Sequence, residues 1–175
     1  MDRVVVVGPP GSGKTTTAAV IAKRLDAPHT ELDSLWSDPN WTEAGPDTFR
    51  ARLAPVVAAD RWVLDGNYTS AGAADLVWSR ADVVIWLDLG RWVTVPRVVR
   101  RTFTRAALRR ELWNGNRESV RLALRADSII WYAFREHPKY NRKYDALARS
   151  GEHPTWVRLQ TPRAVRQWVA GIPPR

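Results

Sequence analysis

The sequence predicts an α/β protein in three layers, a parallel sheet with helices on both faces. Three observations carry this expectation. Short valine-rich runs alternate with longer segments of helical pattern along the whole chain. That alternation builds a parallel sheet flanked by helices. The runs are continuously apolar, as strands covered on both faces are. A glycine-rich turn joins the first run directly to the first helical segment, the strand-to-helix step that such sheets repeat with right-handed crossovers.

In chain order, Asp2 to Val7 is a buried strand that ends in glycine, and Thr15 to Leu25 is a helix with Ala19, Ala22 and Val20/Ile21 on its apolar side. His29 to Leu32 is a short second strand before Asp33. Ser34 to Pro46 has turn chemistry, with Trp36 and Trp41. Asp47 to Ala59 has helical pattern, weakened by Pro55. Trp62-Val63-Leu64 is a third strand that stops at Asp65-Gly66, and Ala71 to Trp78 is a short helix. Val83 to Leu89 is the strongest buried strand. Arg91 to Leu112 is helical with Pro96 in its first turns. Glu118 to Glu136 and Asn141 to Arg149 follow as two helices separated at Pro138. Thr155 to Leu159 is the last strand and Arg163 to Val169 the last helix.

The 175 residues are expected to form one domain over 1–175, large enough to bury a core without staples. The chain has no cysteine, which excludes disulfides and thiolate metal sites. Met1 to Val4 open no apolar leader, and no stretch approaches the ~18 apolar residues that span a bilayer. The expectation is a soluble, cytoplasmic protein with no membrane partner. The formal net charge is +9 and unevenly placed. Between Arg97 and Arg125 lie nine arginines against Glu111 and Glu118. Such a basic face suits a phosphate-bearing partner, nucleotide or nucleic acid, or is a solvated helix face.

Gly8-Pro9-Pro10-Gly11-Ser12-Gly13-Lys14-Thr15 matches G-x-x-x-x-G-K-[ST] in full, after an apolar strand and at the start of a helix. The glycines let successive N–H groups turn toward phosphate oxygens, and the helix N-terminus adds its positive dipole end. Lys14 can reach the β- and γ-phosphates, and the Thr15 hydroxyl can coordinate Mg²⁺. Thr16 is a candidate for the α-phosphate or a helix-surface threonine.

Three acidic positions lie where strands end, the edge at which open α/β sheets bind ligands. Strand alternation puts Glu31 and Asp33 on one side, where a carboxylate can orient a hydroxyl nucleophile or take its proton. Asp65, before a glycine that permits close approach, can hold Mg²⁺ through water. Asp88 follows an apolar strand and is either a second Mg²⁺ candidate or a helix cap. Arg97 and Arg101 lie four apart on one helix face, and Arg117, Arg121 and Arg125 repeat the spacing around the turn residues Trp113 to Asn116. Arginine forks can neutralise phosphoryl charge, and a helical hairpin over ATP would exclude water.

With GPPGSGKT, ELDSLW, WVLDGNY, VVIWLDL, RVVRR, ELWNGNRESVRL and RLQTPRAV, the chain resembles P-loop kinases of the adenylate kinase and shikimate kinase type over nearly its whole length. ELWNGNRES is particular to small bacterial proteins labelled topology modulation proteins within that group. The resemblance implies a three-layer P-loop NTPase fold with a five-stranded parallel sheet in the order 2-3-1-4-5. It also implies a helical, Arg-rich lid, placed at about 101–125, that closes over ATP and Mg²⁺. Gly8, Gly11, Ser12, Gly13, Lys14 and Thr15 would hold the phosphates. Glu31 would serve a Mg²⁺ water and Asp33 the acceptor hydroxyl, while Asp65 would lie near Mg²⁺. Arg97 and Arg101 match the arginine pair that opens the lid, and Thr161 and Pro162 match the loop around adenine. Asn67-Tyr68-Thr69 stands where adenylate kinases carry Pro-Arg, and ELDSLW replaces their monophosphate-binding Thr-Gly-Asp. Both departures favour a hydroxyl acceptor over AMP. The expected activity is therefore Mg-ATP-dependent transfer to a small hydroxylated acceptor such as a nucleoside, nucleotide or sugar. Lys14, Asp33, Arg101, Arg117 and Arg121 would carry it. The rival expectations are ATP-dependent nucleic-acid binding and nucleotide sensing without transfer.

Overall fold

The computed structural model describes residues 1–67, 74–108, 129–151 and 154–175. Five strands form one parallel sheet: β1 (Arg3–Val7), β2 (His29–Glu31), β5 (Trp62–Asp65), β6 (Val83–Leu87) and β7 (Thr155–Leu159). Their order is β2-β5-β1-β6-β7, which is the expected 2-3-1-4-5 when only these five strands are counted. Every pairing in it is parallel. A separate two-stranded antiparallel ribbon joins β3 (Ser37–Asp38) to β4 (Thr42–Glu43).

The helices are α1 (Lys14–Leu25), α2 (Leu32–Trp36), α3 (Pro46–Ala58), α4 (Ala74–Trp78), α5 (Arg91–Ala107), α6 (Ile129–Ser150) and α7 (Pro162–Ala170). They cover the sheet on both sides, and the strand alternation decides which residues meet which helices. One face carries Val5, Val7, Trp62, Leu64, Val84 and Trp86 against Phe49 and Leu53 of α3 and Tyr144 of α6. The other carries Val4, Val6, Val63, Ile85 and Leu87 against Ala18 and Ile21 of α1 and Val169 of α7. Phe49 and Leu53 are wholly buried, each contributing about 2 kcal/mol of hydrophobic stabilisation. The continuous apolar runs in β1 and β6 therefore follow from double coverage. Among the described residues no helix is long and apolar enough to cross a membrane.

Three expectations about elements need correction. The second strand stops at Glu31, and Leu32 and Asp33 already belong to α2, so Asp33 is placed by a helical turn and not by strand alternation. The turn-rich segment after it holds that helix and the β3–β4 ribbon. Pro138 does not divide two helices: α6 runs through it for 22 residues. Proline removes one backbone donor, and the tertiary contacts of α6, with Ala133, His137 and Tyr144 buried on one face, hold the helix together across it. Residues 109–112 of the expected lid helix and 118–128 of the next lie outside the described residues, as does most of the 101–125 insert.

Candidate functional site

The site grows from the carboxyl edge of the sheet. β1 ends at Val7, and the chain turns at once through residues 8–13 into α1. Gly13 is left-handed at φ 92° and serves as the N-cap of α1, so the loop delivers its N–H groups at the positive end of the helix. The Lys14 side chain folds back over this loop, and its Nζ donates to the Gly8 carbonyl at 2.9 Å and the Pro9 carbonyl at 3.3 Å. Burial lowers the lysine's pKa. The fields of Asp33 and Asp65 raise it in part, and that of Arg101 lowers it further. These four side chains therefore share one electrostatic neighbourhood. The Ser12 hydroxyl is buried and has no hydrogen-bond partner among the described residues. A buried hydroxyl left open in a glycine-rich loop at a helix N-terminus fits an anion-binding role.

At the start of α1, the Thr15 hydroxyl donates to Asp65 Oδ1 at 3.0 Å. Asp65 terminates β5 and is 4% exposed. Its other oxygen pairs with His29 Nε2 at 2.7 Å, reaching across from β2. Glu31 is in direct register with Asp65, so the two acidic residues sit side by side on the face that α1 covers. A hydroxyl and a carboxylate at hydrogen-bond distance beside a phosphate loop are the oxygen donors that suit Mg²⁺, which takes few protein ligands and keeps several waters. Among the described residues no group of three His, Asp or Glu side chains forms an all-protein metal cage.

Asp88 lies differently. Its Oδ2 accepts from Arg158 Nη2 at 2.7 Å, Arg158 Nε at 2.8 Å and Gln160 Nε2 at 3.2 Å. The same guanidinium stacks 4.3 Å over the Trp86 ring. Asp88 thus ties β6 to β7 and the segment after it.

Behind the loop, α5 packs against Gly11. A Cβ on Gly11 would lie 2.3 Å from the Thr94 carbonyl oxygen and 2.8 Å from Val98 Cγ2. This contact sets where α5 leaves the core and carries Arg101, half-buried, to the field of Lys14, while Arg97 one turn earlier is exposed. Thr16 is exposed on α1. Thr161 caps α7, its hydroxyl accepting from the Ala164 N–H at 3.1 Å, and Pro162 is the first residue of that helix. Arg117 and Arg121, with Arg125 and Tyr68, lie outside the described residues.

Two side chains of the site carry no clear signal in the sequence. His29 sits in a strand too short to show a pattern, and only the register with β5 brings it to Asp65. Asn67 stands out in the sequence only as a departure from Pro-Arg, while its role is set by tertiary contacts. Its Oδ1 accepts from the Gly8 N–H at 3.3 Å, and its Nδ2 donates to the Gly8 carbonyl at 2.9 Å. The Tyr144 hydroxyl of α6 donates to the same Oδ1 at 2.8 Å.

A family model described as ATPase family associated with various cellular activities (AAA) matches residues 4–64, from β1 through β5. The adenylate kinase of Encephalitozoon cuniculi is 24% identical over 114 residues, which are 55% of this chain and 64% of that protein. The chain thus spans less than two thirds of that relative's length. An adenylate kinase sequence from Streptomyces griseus is 50% identical over 34 residues, 19% of this chain and 94% of its own length. Among solved structures, a shikimate kinase from Acinetobacter baumannii in complex with shikimate superposes with a TM-score of 0.60 at 19% identity, covering 98% of this chain and 90% of that one.

Proposed function

Because the chain belongs to the P-loop kinases of adenylate- and shikimate-kinase type, we propose that it transfers the γ-phosphoryl group of ATP to a small hydroxylated acceptor, such as a nucleoside, nucleotide or sugar-like metabolite. One observation carries this: the meeting of Lys14, Thr15 and Asp65 at the carboxyl ends of β1 and β5, with Asp33 and Arg101 within electrostatic reach. In the reaction the acceptor oxygen attacks the γ-phosphorus, the bond to the β,γ-bridging oxygen breaks, ADP leaves, and the hydroxyl proton passes to a base. Asp33, on the first turn of α2, orients that hydroxyl and is the base. Lys14 leaves the Gly8 and Pro9 carbonyls for the β- and γ-phosphates. Thr15 and Asp65 would hold Mg²⁺, directly and through water, with Glu31 beside them. Asp88, engaged by Arg158 and Gln160, is left to hold the sheet. Bound Mg²⁺ supplies charge neutralisation across the β- and γ-phosphates. Arg101 offsets the negative charge on the transferring group, and Arg97, Arg117 and Arg121 would add to it. The Pro-Arg and Thr-Gly-Asp positions through which adenylate kinases hold AMP carry other residues here, which supports a hydroxyl acceptor.

The test is turnover of Mg-ATP against nucleosides, nucleotides, sugars and shikimate, with ADP and phosphorylated products read by mass spectrometry. A phosphorylated product is expected for one acceptor class. Lys14→Ala should lower kcat by about 10² or more, as loss of a transition-state charge contact does. Asp33→Asn should lose transfer while ATP affinity stays. Free phosphate alone across the panel, or full turnover by the Asp33 variant, counts against the assignment.

A further inference from the structure

Asn67 occupies an unusual place, for an asparagine in a turn ordinarily bonds backbone close to it in sequence. Here it reaches back 59 residues in sequence and bonds both the N–H and the carbonyl of Gly8. Its Oδ1 also accepts from Tyr144 at 2.8 Å. An amide has two acceptor sites and two donors, and these three bonds use both acceptor sites and one donor. Tyr144 is wholly buried and lies among the rings of Trp86 at 6.0 Å, Trp156 at 6.1 Å and Tyr140 at 6.2 Å. Tyr140 in turn bonds the Tyr132 hydroxyl at 2.7 Å. The first residue of the phosphate loop is thus fixed to α6 through one side chain.

The Gly8 carbonyl accepts from two donors, Lys14 Nζ and Asn67 Nδ2, both at 2.9 Å. When Lys14 swings to a phosphate, that carbonyl loses one partner and would be left unsatisfied if Asn67 were absent. A buried acceptor stripped of its donor is costly, so without Asn67 the lysine would stay parked on the loop.

We propose that Asn67 is a positioning residue for triphosphate binding: it holds the Gly8 backbone from both sides and keeps its carbonyl bonded, so that Lys14 is released to the phosphates, and it ties that release to α6 through Tyr144. This rests on the assignment of residues 8–15 as a phosphate cradle but not on the acceptor or on transfer.

The experiment measures Kd for ATP and for inorganic tripolyphosphate by titration calorimetry in the parent, Asn67→Ala, Tyr144→Phe and Lys14→Ala proteins, well below each unfolding midpoint. Asn67→Ala should weaken both ligands by about tenfold, from the loss of its bonds to Gly8 and of the lysine's easy release. Tyr144→Phe, which keeps the ring packing, should weaken both by about threefold. Equal loss with the base-free probe places the effect in the cradle. A merely structural role would lower the unfolding midpoint and leave Kd unchanged, and parent-like Kd values in a folded Asn67→Ala or Tyr144→Phe protein overturn the proposal. If Asn67→Ala does not fold, Tyr144→Phe decides. Lys14→Ala separates the two levels: parent-like ATP affinity there sinks the cradle assignment itself, whereas a loss there beside normal Asn67 and Tyr144 variants sinks only the positioning role.

Discussion

Lys14 rests with its ammonium on two carbonyls, and the energetics of leaving them decide how nucleotide affinity responds to pH. Burial lowers its pKa, the carboxylates of Asp33 and Asp65 offset part of that, and Arg101 adds to it. A triphosphate in the cradle brings several negative charges against the ammonium and raises the pKa again. The complex therefore binds more protons than the free protein at alkaline pH. By linkage, ATP affinity falls as pH rises through the free lysine's pKa, with a limiting slope of about tenfold per pH unit for one proton. Calorimetry at alkaline pH in two buffers of different ionisation heat should show proton uptake on binding, and Lys14→Met should bind more weakly and abolish the uptake. Uptake that persists in the variant would assign the proton to another group. At this scale the motif made Gly8 to Thr15 legible, because the spacing itself encodes the chemistry. The choice between Asp65 and Asp88 was not legible: both end apolar strands, and what separates them is Thr15 on one and Arg158 on the other, contacts set by sheet order and not by local sequence.

Among elements, the one that decides the shape of the cradle is α5. Its Thr94 and Val98 leave no room at Gly11, where a Cβ would come within 2.3 Å of a carbonyl oxygen, and the backbone there is left-handed at φ 80°. Gly13 is also left-handed, at φ 92°, but faces open space. The two glycines therefore separate backbone strain from steric exclusion. Gly13→Ala should cost about 1–2 kcal/mol from the left-handed conformation alone. Gly11→Ala adds an overpacking cost of about 1–3 kcal/mol. At about 2–4 °C per kcal/mol for a chain of this size, its unfolding midpoint should fall further than that of Gly13→Ala, by several degrees in a thermal scan. Equal losses would mean that α5 moves aside freely. The strands β1 and β6 and the helices α1 and α3 were legible because their apolar runs are continuous or keep a helical period. The start of α2 was not, since a three-residue strand carries too little pattern to show that helix begins at Leu32. The continuity of α6 was hidden for another reason: the penalty of Pro138 is local and visible in sequence, while the packing of Tyr144 and His137 that outweighs it is distant.

For the molecule as a whole, the charge of +9 is what remains after the acidic groups are subtracted, and several of the arginines are engaged within the fold. Arg3, Arg50, Arg52, Arg158 and Arg175 each pair with an aspartate. These arginines hold elements together, and the pair of Arg3 with Asp82 closes the sheet at the end opposite the site. Asp82 Oδ2 accepts from the Asp2 N–H at 2.7 Å and the Arg3 N–H at 3.1 Å, and its Oδ1 accepts from the Arg3 guanidinium at 2.8 Å. These bonds lock the start of β1 to the start of β6. Burial pushes the Asp82 carboxyl up, but the two amides and the guanidinium outweigh it and hold the pKa below its ordinary value. A carboxylate with a depressed folded pKa contributes stability that is present above its unfolded pKa of about 4 and is lost as pH falls through the folded value. Asp82→Asn should accordingly lower stability by about 1 kcal/mol at pH 7, or about 2–4 °C in the midpoint. The gap between parent and variant should narrow steadily from pH 5 to pH 3. Thermal scans of both proteins across that range check it. A gap that stays constant to pH 3 would mean that the asparagine disturbs the turn by its shape, and that the carboxylate's charge contributes nothing to closing the sheet.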